Sequence, residues 1–137
     1  MISQVFEIQS HPENLKALRD QVRPYLAETR LPEDQAAAVL IALGEACTNA
    51  MRHAYGNAPD KPVRVTLEIE PDKVVLRIRD FGKKIVLADI PAPRLPPDKG
   101  GGLGIYFMKT MMDDVHYNTG HPEGNELILT KRVPQGA

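Results

Sequence analysis

Three polar side chains recur at four-residue intervals within residues 44 to 55, a segment that is otherwise largely apolar: Glu45, Asn49 and His53. Because an α-helix has about 3.6 residues per turn, this spacing predicts one polar stripe on a helix. A carboxylate that takes a proton and a carboxamide oxygen that holds a hard cation would then lie one turn apart. This pair suits phosphoryl transfer from a metal nucleotide. Considered alone, however, such a stripe is more often a solvated helix face.

A second segment combines an aspartate with a glycine. Apolar alternation over residues 74 to 78 predicts a strand that ends near Asp80, and Gly82 then allows a turn. A carboxylate at such a position can accept a hydrogen bond from an exocyclic amine, such as that of adenine. An ordinary turn aspartate is the simpler explanation if Asp80 is considered alone.

The third segment is a glycine cluster. Residues 99 to 104 have the sequence Lys-Gly-Gly-Gly-Leu-Gly and lead directly into a helical pattern. Backbone amides at a helix N-terminus bind anions, and glycines let phosphate oxygens approach closely. The alternative is a flexible loop that closes on a helix. The P-loop pattern is missing, and the glycines follow a proline-rich stretch rather than a strand, so neither common phosphate-binding fingerprint applies.

The three segments occur in a characteristic order: a Glu/Asn helix, a strand followed by Asp-x-Gly, a long loop and a Gly-x-Gly helix start. In this order the chain resembles the ATP-binding domain shared by histidine kinases, DNA gyrase, MutL and the heat-shock chaperones, often called GHKL. Within that superfamily it is most similar to stand-alone anti-sigma-factor serine/threonine kinases of the RsbW type. Residues 44 to 55 match the helix of those kinases nearly throughout, and residues 102 to 109 are similar to their second glycine box.

The resemblance implies ATP and Mg²⁺ as cofactors and gives the candidate residues their roles. Glu45 would be the catalytic base, Asn49 would ligate the metal, and His53 would lie beside them on the nucleotide helix. Asp80 and Gly82 would form the adenine pocket. The remaining nucleotide-binding residues would be Lys99, Gly100, Gly102, Leu103 and Gly104. His53 is not expected to be a phosphoacceptor, because sensor histidine kinases carry that residue on a separate dimerisation domain.

Two residues depart from the family pattern. Lys84 stands where a second glycine of the first box is usual, and Asn125 follows Gly124 where threonine is common. Lys84 favours an alternative function, a catalytically silent ATP-binding module that restrains its partner by sequestration alone. Glu45 opposes that alternative, because mere nucleotide binding does not need a base. A detached histidine-kinase domain is a further, less favoured alternative.

The resemblance also implies protein partners. These are a sigma factor of RNA polymerase and an anti-sigma-factor antagonist that is the phosphorylation substrate, and homodimers are common among such proteins. Arg19 and Arg23 lie one turn apart on the first predicted helix and form a candidate partner surface or simply its solvent face. The net charge of −1 and pI of about 6.4 argue against direct nucleic-acid or membrane binding. Without a signal sequence or long apolar span, we expect a cytoplasmic protein.

The length and periodicity of the chain predict one domain over residues 1 to 137. Grouped rather than alternating elements favour an α+β two-layer sandwich, with helices on one face of a mixed, mainly antiparallel sheet. Strands are predicted at residues 2 to 9, 62 to 70, 73 to 80, 113 to 119 and 125 to 133. Helices are predicted from His11-Pro12, from Leu31-Pro32-Glu33 to about Ala54, and at 103 to 112, with an ATP lid at about 81 to 102. The single cysteine excludes an internal disulfide.

Overall fold

The computed structural model describes residues 1 to 85 and 108 to 135 as a five-stranded sheet with helices packed on it. The elements are, in chain order, β1 (Ile2–Gln9), α1 (Leu15–Ala27), α2 (Glu33–Asn49), β2 (Pro62–Glu70), β3 (Lys73–Asp80), β4 (Asp114–Asn118) and β5 (Asn125–Arg132). A single 3-10 turn, Pro12–Asn14, precedes α1, and a π turn, Ala50–Ala54, continues α2. Residues 108 to 111 are helical. The predicted two-layer α+β sandwich is confirmed.

The strands lie in the order β1-β2-β3-β5-β4, and every pairing among the described residues is antiparallel. The parallel component of the predicted mixed sheet is therefore not found in this part of the chain. The pairing of β2 with β3 follows from their connection: only Pro71 and Asp72 lie between the two strands, and Glu70 pairs with Lys73. Such a short connection permits only antiparallel neighbours.

One face of the sheet and one side of each helix form the core. Alternate strand residues such as Val65, Leu76 and Leu129 are fully buried, as alternation along a strand predicts. Leu18 on α1 and Leu43 on α2 belong to the same buried cluster. The core therefore holds α2 directly against the sheet. No helix within the described ranges is long and apolar enough to cross a membrane.

The predicted boundaries agree well with the observed ones where they can be compared. The π turn that continues α2 ends at Ala54, and β3 ends at Asp80; both ends are as predicted. Most of the predicted helix at residues 103 to 112 and most of the predicted lid lie outside the described residues. Those two predictions stay predictions.

Candidate functional site

The predicted polar stripe begins on the last turns of α2. Glu45 and Asn49 are both half-buried, one α-helical turn apart, whereas His53 is exposed. Between Asn49 and His53 the helix changes to π geometry, and the Tyr55 amide donates to the Ala50 carbonyl over 3.1 Å. Turns of this kind occur often at functional sites. Glu45 and Asn49 therefore lie one turn apart in α2, whereas His53 lies on the wider π turn that follows.

The carboxamide of Asn49 is oriented by a tyrosine. Its Nδ2 atom donates to the hydroxyl oxygen of Tyr117 on β4 over 2.6 Å. With the amide nitrogen engaged in this way, the Oδ1 atom is the one left for a cation. Burial raises the pKa of Tyr117 to about 12, so its hydroxyl stays neutral at physiological pH. The negative charge of Asp80 also raises this pKa.

Asp80 is the last residue of β3 and is almost fully buried, with 2% of its surface exposed. Its Oδ1 atom accepts hydrogen bonds from the Gly82 amide over 3.1 Å and from Asn125 Nδ2 over 3.0 Å. Burial raises the pKa of this carboxyl above its ordinary value of 3.8, and the hydrogen bonds from Asn125 and Gly82 oppose that change. The structure therefore brings Asp80, Gly82 and Asn125 together.

Asn125 also holds the chain that follows Asp80. Its Nδ2 atom donates to the Lys83 carbonyl over 2.8 Å, and its Oδ1 atom accepts from the Ile85 amide over 2.7 Å. Asn125 is the first residue of β5 and lies directly opposite Asp80 in the β3–β5 register. The side chain therefore bridges the end of β3 and the segment after it.

Gly82 allows this turn to lie against the end of α2. A Cβ atom on Gly82 would overlap the Ala54 carbonyl. That same carbonyl accepts a hydrogen bond from the Lys83 amide over 2.8 Å. Tyr55 adds a further link, because its hydroxyl donates to the Pro62 carbonyl and accepts from the Phe81 amide over 2.6 and 2.7 Å. The turn after β3 is thus fixed to the end of α2 and its π turn.

Lys84, the unusual residue of the first box, also has a structural partner. Its Nζ atom donates to the carbonyl of His121 in the β4–β5 connection. The lysine is therefore accommodated by the fold without displacing Asp80 or Gly82. The predicted phosphate-binding residues Lys99, Gly100, Gly102, Leu103 and Gly104 lie outside the described residues.

A metal ion at this site would need ligands from a nucleotide. Within the described ranges, no group of three or more His, Cys, Asp or Glu side chains could hold a metal ion by itself. One oriented carboxamide oxygen, that of Asn49, nevertheless fits Mg²⁺, which usually keeps several waters and takes few protein ligands alongside substrate phosphates. The residues present therefore fit a metal that arrives with a nucleotide.

Two contributors to the site were not predicted from the sequence. Tyr117 orients Asn49, and Tyr55 fixes the turn after β3. The period-two pattern of Val115 and Tyr117 was the available signal for the first, because it places that tyrosine on the helix side of β4. No local pattern identifies the partners of Tyr55, which come from two other segments.

Comparison with known proteins gives the class to which this fold and site correspond. The family model described as histidine kinase-like ATPase domain matches residues 8 to 131. The chain belongs to the histidine kinase-like ATPase family. Membership of this family implies an ATP-binding domain.

Individual relatives have more specific names than the family. The chain is 33% identical over 101 residues to the serine-protein kinase RsbW of Listeria monocytogenes, an alignment that covers 68% of this chain and 63% of the relative. It is 31% identical over 130 residues to an anti-sigma F factor of Clostridium beijerinckii, with 92% and 91% covered. The chain thus spans less than two thirds of the length of the Listeria kinase.

A solved structure supports the fold. The crystal structure of the RsbU and RsbW domains of a Mycobacterium tuberculosis protein superposes with a TM-score of 0.70 at 17% identity. The match covers 100% of this chain and 34% of that one. Together with the family match and the two named relatives, this confirms the predicted resemblance to RsbW-type proteins.

Proposed function

We propose that this protein is an ATP-dependent serine/threonine kinase that acts as an anti-sigma factor. The observation that carries the proposal is the hydrogen bond from Asn49 to Tyr117, which orients a carboxamide one helical turn from Glu45 on α2. Phosphoryl transfer from ATP needs a group that binds the metal, a group that recognises the adenine and a group that accepts the hydroxyl proton. Asn49, Asp80 and Glu45 would supply these three groups. The named relatives, a serine-protein kinase and an anti-sigma factor, support the same assignment.

Nucleotide binding would use Asp80 at the adenine and Asn49 at the metal. Asp80 would accept a hydrogen bond from the exocyclic amine of adenine, and Gly82 would keep the turn close enough to α2 for the base to fit. Asn49 would ligate Mg²⁺ through Oδ1. When bound, Mg²⁺ would neutralise phosphate charge. The glycine cluster at residues 100 to 104 is proposed to hold the phosphates through its amides.

Glu45 is proposed as the general base. The hydroxyl oxygen of the substrate serine or threonine forms a bond to the γ-phosphorus, while the bond from that phosphorus to the β–γ bridging oxygen breaks. The bridging oxygen leaves with ADP, and the hydroxyl proton passes to the carboxylate of Glu45. Its half-buried position one turn from Asn49 suits this role, because base and metal ligand would face the same phosphate.

The proposed partners are a sigma factor of RNA polymerase, which is held inactive, and an antagonist protein, which is phosphorylated. Arg19 and Arg23 on α1 remain the proposed contact surface, and their surroundings differ. Arg23 is ion-paired with Asp20 over 2.5 Å, whereas Arg19 Nη1 lies 3.0 Å from where a Cβ atom on Gly44 would stand. Gly44 therefore lets Arg19 lie against α2.

The test is phosphorylation of candidate antagonist proteins with radiolabelled ATP and magnesium, followed by phosphoamino-acid analysis. Acid-stable phosphoserine or phosphothreonine is expected with the wild-type protein. Glu45→Gln is expected to abolish transfer and leave ATP affinity within about twofold, because the amide cannot take the proton. Glu33→Gln, at the exposed start of the same helix, is the matched control.

Each other outcome has a definite meaning. Undiminished transfer by Glu45→Gln would remove Glu45 from the mechanism. Tight ATP binding without transfer by the wild-type protein would favour the sequestering module. Acid-labile phosphohistidine on the acceptor would favour a detached histidine-kinase domain.

A further inference from the structure

We propose that the exposed side of α2 that leads up to Glu45 is the docking surface for the protein substrate, with Ile41 as its central contact. The proposal rests on the proposed function, since it assumes that Glu45 is the base. Ile41 is 50% exposed, although Leu40 and Ala42 on either side of it are buried. It precedes Glu45 by four residues, so the two side chains lie on the same side of α2, one turn apart.

Four residues form this docking surface, which we call the α2 ridge: Asp34, Ala37, Ile41 and Glu45. Their spacing of three and four residues places them along one side of the helix. Asp34, Ala37 and Ile41 are exposed and Glu45 is half-buried, whereas Leu43 on the opposite side is fully buried. The α2 ridge therefore carries apolar side chains on a side of the helix that the fold leaves uncovered.

The proposed position of the nucleotide indicates from which side the substrate approaches Glu45. Asn49, the proposed metal ligand, lies one turn after Glu45, and the turn after Asp80 lies against the Ala54 carbonyl at the end of the π turn. ATP would therefore lie on the C-terminal side of Glu45. In-line transfer places the attacking hydroxyl and the leaving ADP on opposite sides of the γ-phosphorus, and the hydroxyl must also reach Glu45. The segment that carries the hydroxyl would then cross the N-terminal side, over Ile41.

The residues of the α2 ridge define the chemistry of that substrate segment. Ile41 would bury an apolar side chain of the substrate, and the small side chain of Ala37 lets the segment lie close to the helix. Asp34 forms no ion pair within the part of the chain that the structure describes, so its carboxylate is available to a lysine or arginine. At 1.5 Å per residue, Asp34 lies about 10 Å and Glu45 about 6 Å from Ile41 along the helix axis. The substrate segment therefore presents a basic residue, an apolar residue and the phosphorylated serine or threonine in that spatial order.

The experiment measures steady-state phosphorylation of the antagonist protein that the wild-type protein phosphorylates best, with calorimetric ATP binding in parallel. Ile41→Ala is expected to raise the KM for the antagonist by about fivefold to tenfold, because the apolar contact is lost. Its kcat and ATP affinity are expected to stay within about twofold of the wild type. Val5→Ala is the matched control, since Val5 is 58% exposed on β1, outside the α2 ridge.

A second variant tests the charged end of the α2 ridge. Asp34→Asn is expected to raise the KM for the antagonist by about threefold at low salt, because an exposed ion pair contributes little. This difference is expected to disappear at high salt, whereas the effect of Ile41→Ala persists. A merely structural role of either residue would not produce this contrast.

The other outcomes separate this proposal from the proposed function. Transfer with an unchanged KM in Ile41→Ala would overturn the docking surface and leave the kinase assignment intact, as would an equal rise of KM in Val5→Ala. A lower kcat at unchanged KM would also overturn it, because Ile41 would then affect the chemical step. An unchanged KM together with conversion of a dimer to a monomer, seen by sedimentation, would mean that a second copy of the chain covers the α2 ridge instead. A wild-type protein that transfers no phosphate would remove the proposed function, and this proposal with it.

Discussion

At the scale of single residues, the hydrogen bond between Tyr117 and Asn49 decides which atom of the amide faces a ligand. A free asparagine can present either its oxygen or its nitrogen, and only the oxygen binds a cation. Because the Tyr117 hydroxyl oxygen accepts a hydrogen bond from the amide nitrogen over 2.6 Å, the amide oxygen is the atom left for the proposed metal. A group prepared in this way loses less entropy when the ligand binds.

Tyr117→Phe is therefore expected to weaken magnesium-dependent ATP binding by roughly threefold to tenfold, because the amide is no longer held. Calorimetry with and without magnesium measures the effect. Tyr25→Phe is the control, since Tyr25 packs edge-on against Phe6 at 6.2 Å between ring centroids, away from Asn49. An equal loss with and without the metal would contradict the orienting role.

At the scale of elements, the site depends on how closely α2, β3 and β5 approach one another. The turn after β3 lies against the end of the π turn, and the start of β5 lies against the end of β3. Gly124, immediately before β5, has a φ of 67° and sits against the Asp80 backbone. A glycine is required there for two separate reasons, its backbone conformation and the lack of space for a side chain.

Substitution of two glycines separates these reasons. Gly56 has a φ of 57°, and nothing lies within 4 Å of where its Cβ atom would stand, so Gly56→Ala is expected to cost only the backbone term, about 1 kcal/mol. Gly124→Ala is expected to cost clearly more, and to weaken ATP binding as well, because its Cβ would overlap the Asp80 carbonyl. Urea unfolding measures both losses of stability. Equal losses would show that the close contact at Gly124 is relieved without cost.

At the scale of the whole molecule, burial of the Asp80 carboxylate lowers the stability of the folded state at neutral pH. Burial raises the pKa of Asp80 above 3.8, so the folded state binds its proton more tightly than the unfolded state. For such a group, the stabilising contribution is complete below the unfolded pKa and is lost as pH rises through the folded pKa. The remainder of the core must offset this loss at neutral pH.

Asp80→Asn removes that titration and keeps an oxygen that can accept from Gly82 and Asn125. The free energy of unfolding of this variant, minus that of the wild type, is expected to increase as pH rises from 3.8 and to level off above the raised pKa. Urea unfolding across that pH range tests the sign. A difference that stays constant with pH would mean that the Asp80 pKa is not raised by folding.

Much of the fold could be predicted because its signals are local. The strands at residues 62 to 70 and 73 to 80 alternate in polarity, and the second helix keeps its apolar period to Ala54. The exclusively antiparallel pairing of the described strands was only partly predicted. Strand order depends on contacts between distant segments, which local periodicity does not encode.

The candidate site divides in the same way. The sequence by itself determined the residue types and their order: a carboxylate and a carboxamide one turn apart on a helix, and an aspartate at the end of a strand. Only the tertiary structure decided that Tyr117 orients Asn49 and that Asn125 occupies one oxygen of Asp80, across separations of 68 and 45 residues. Helical spacing follows from the backbone of neighbouring residues, whereas these hydrogen bonds exist only after the sheet has brought distant strands together.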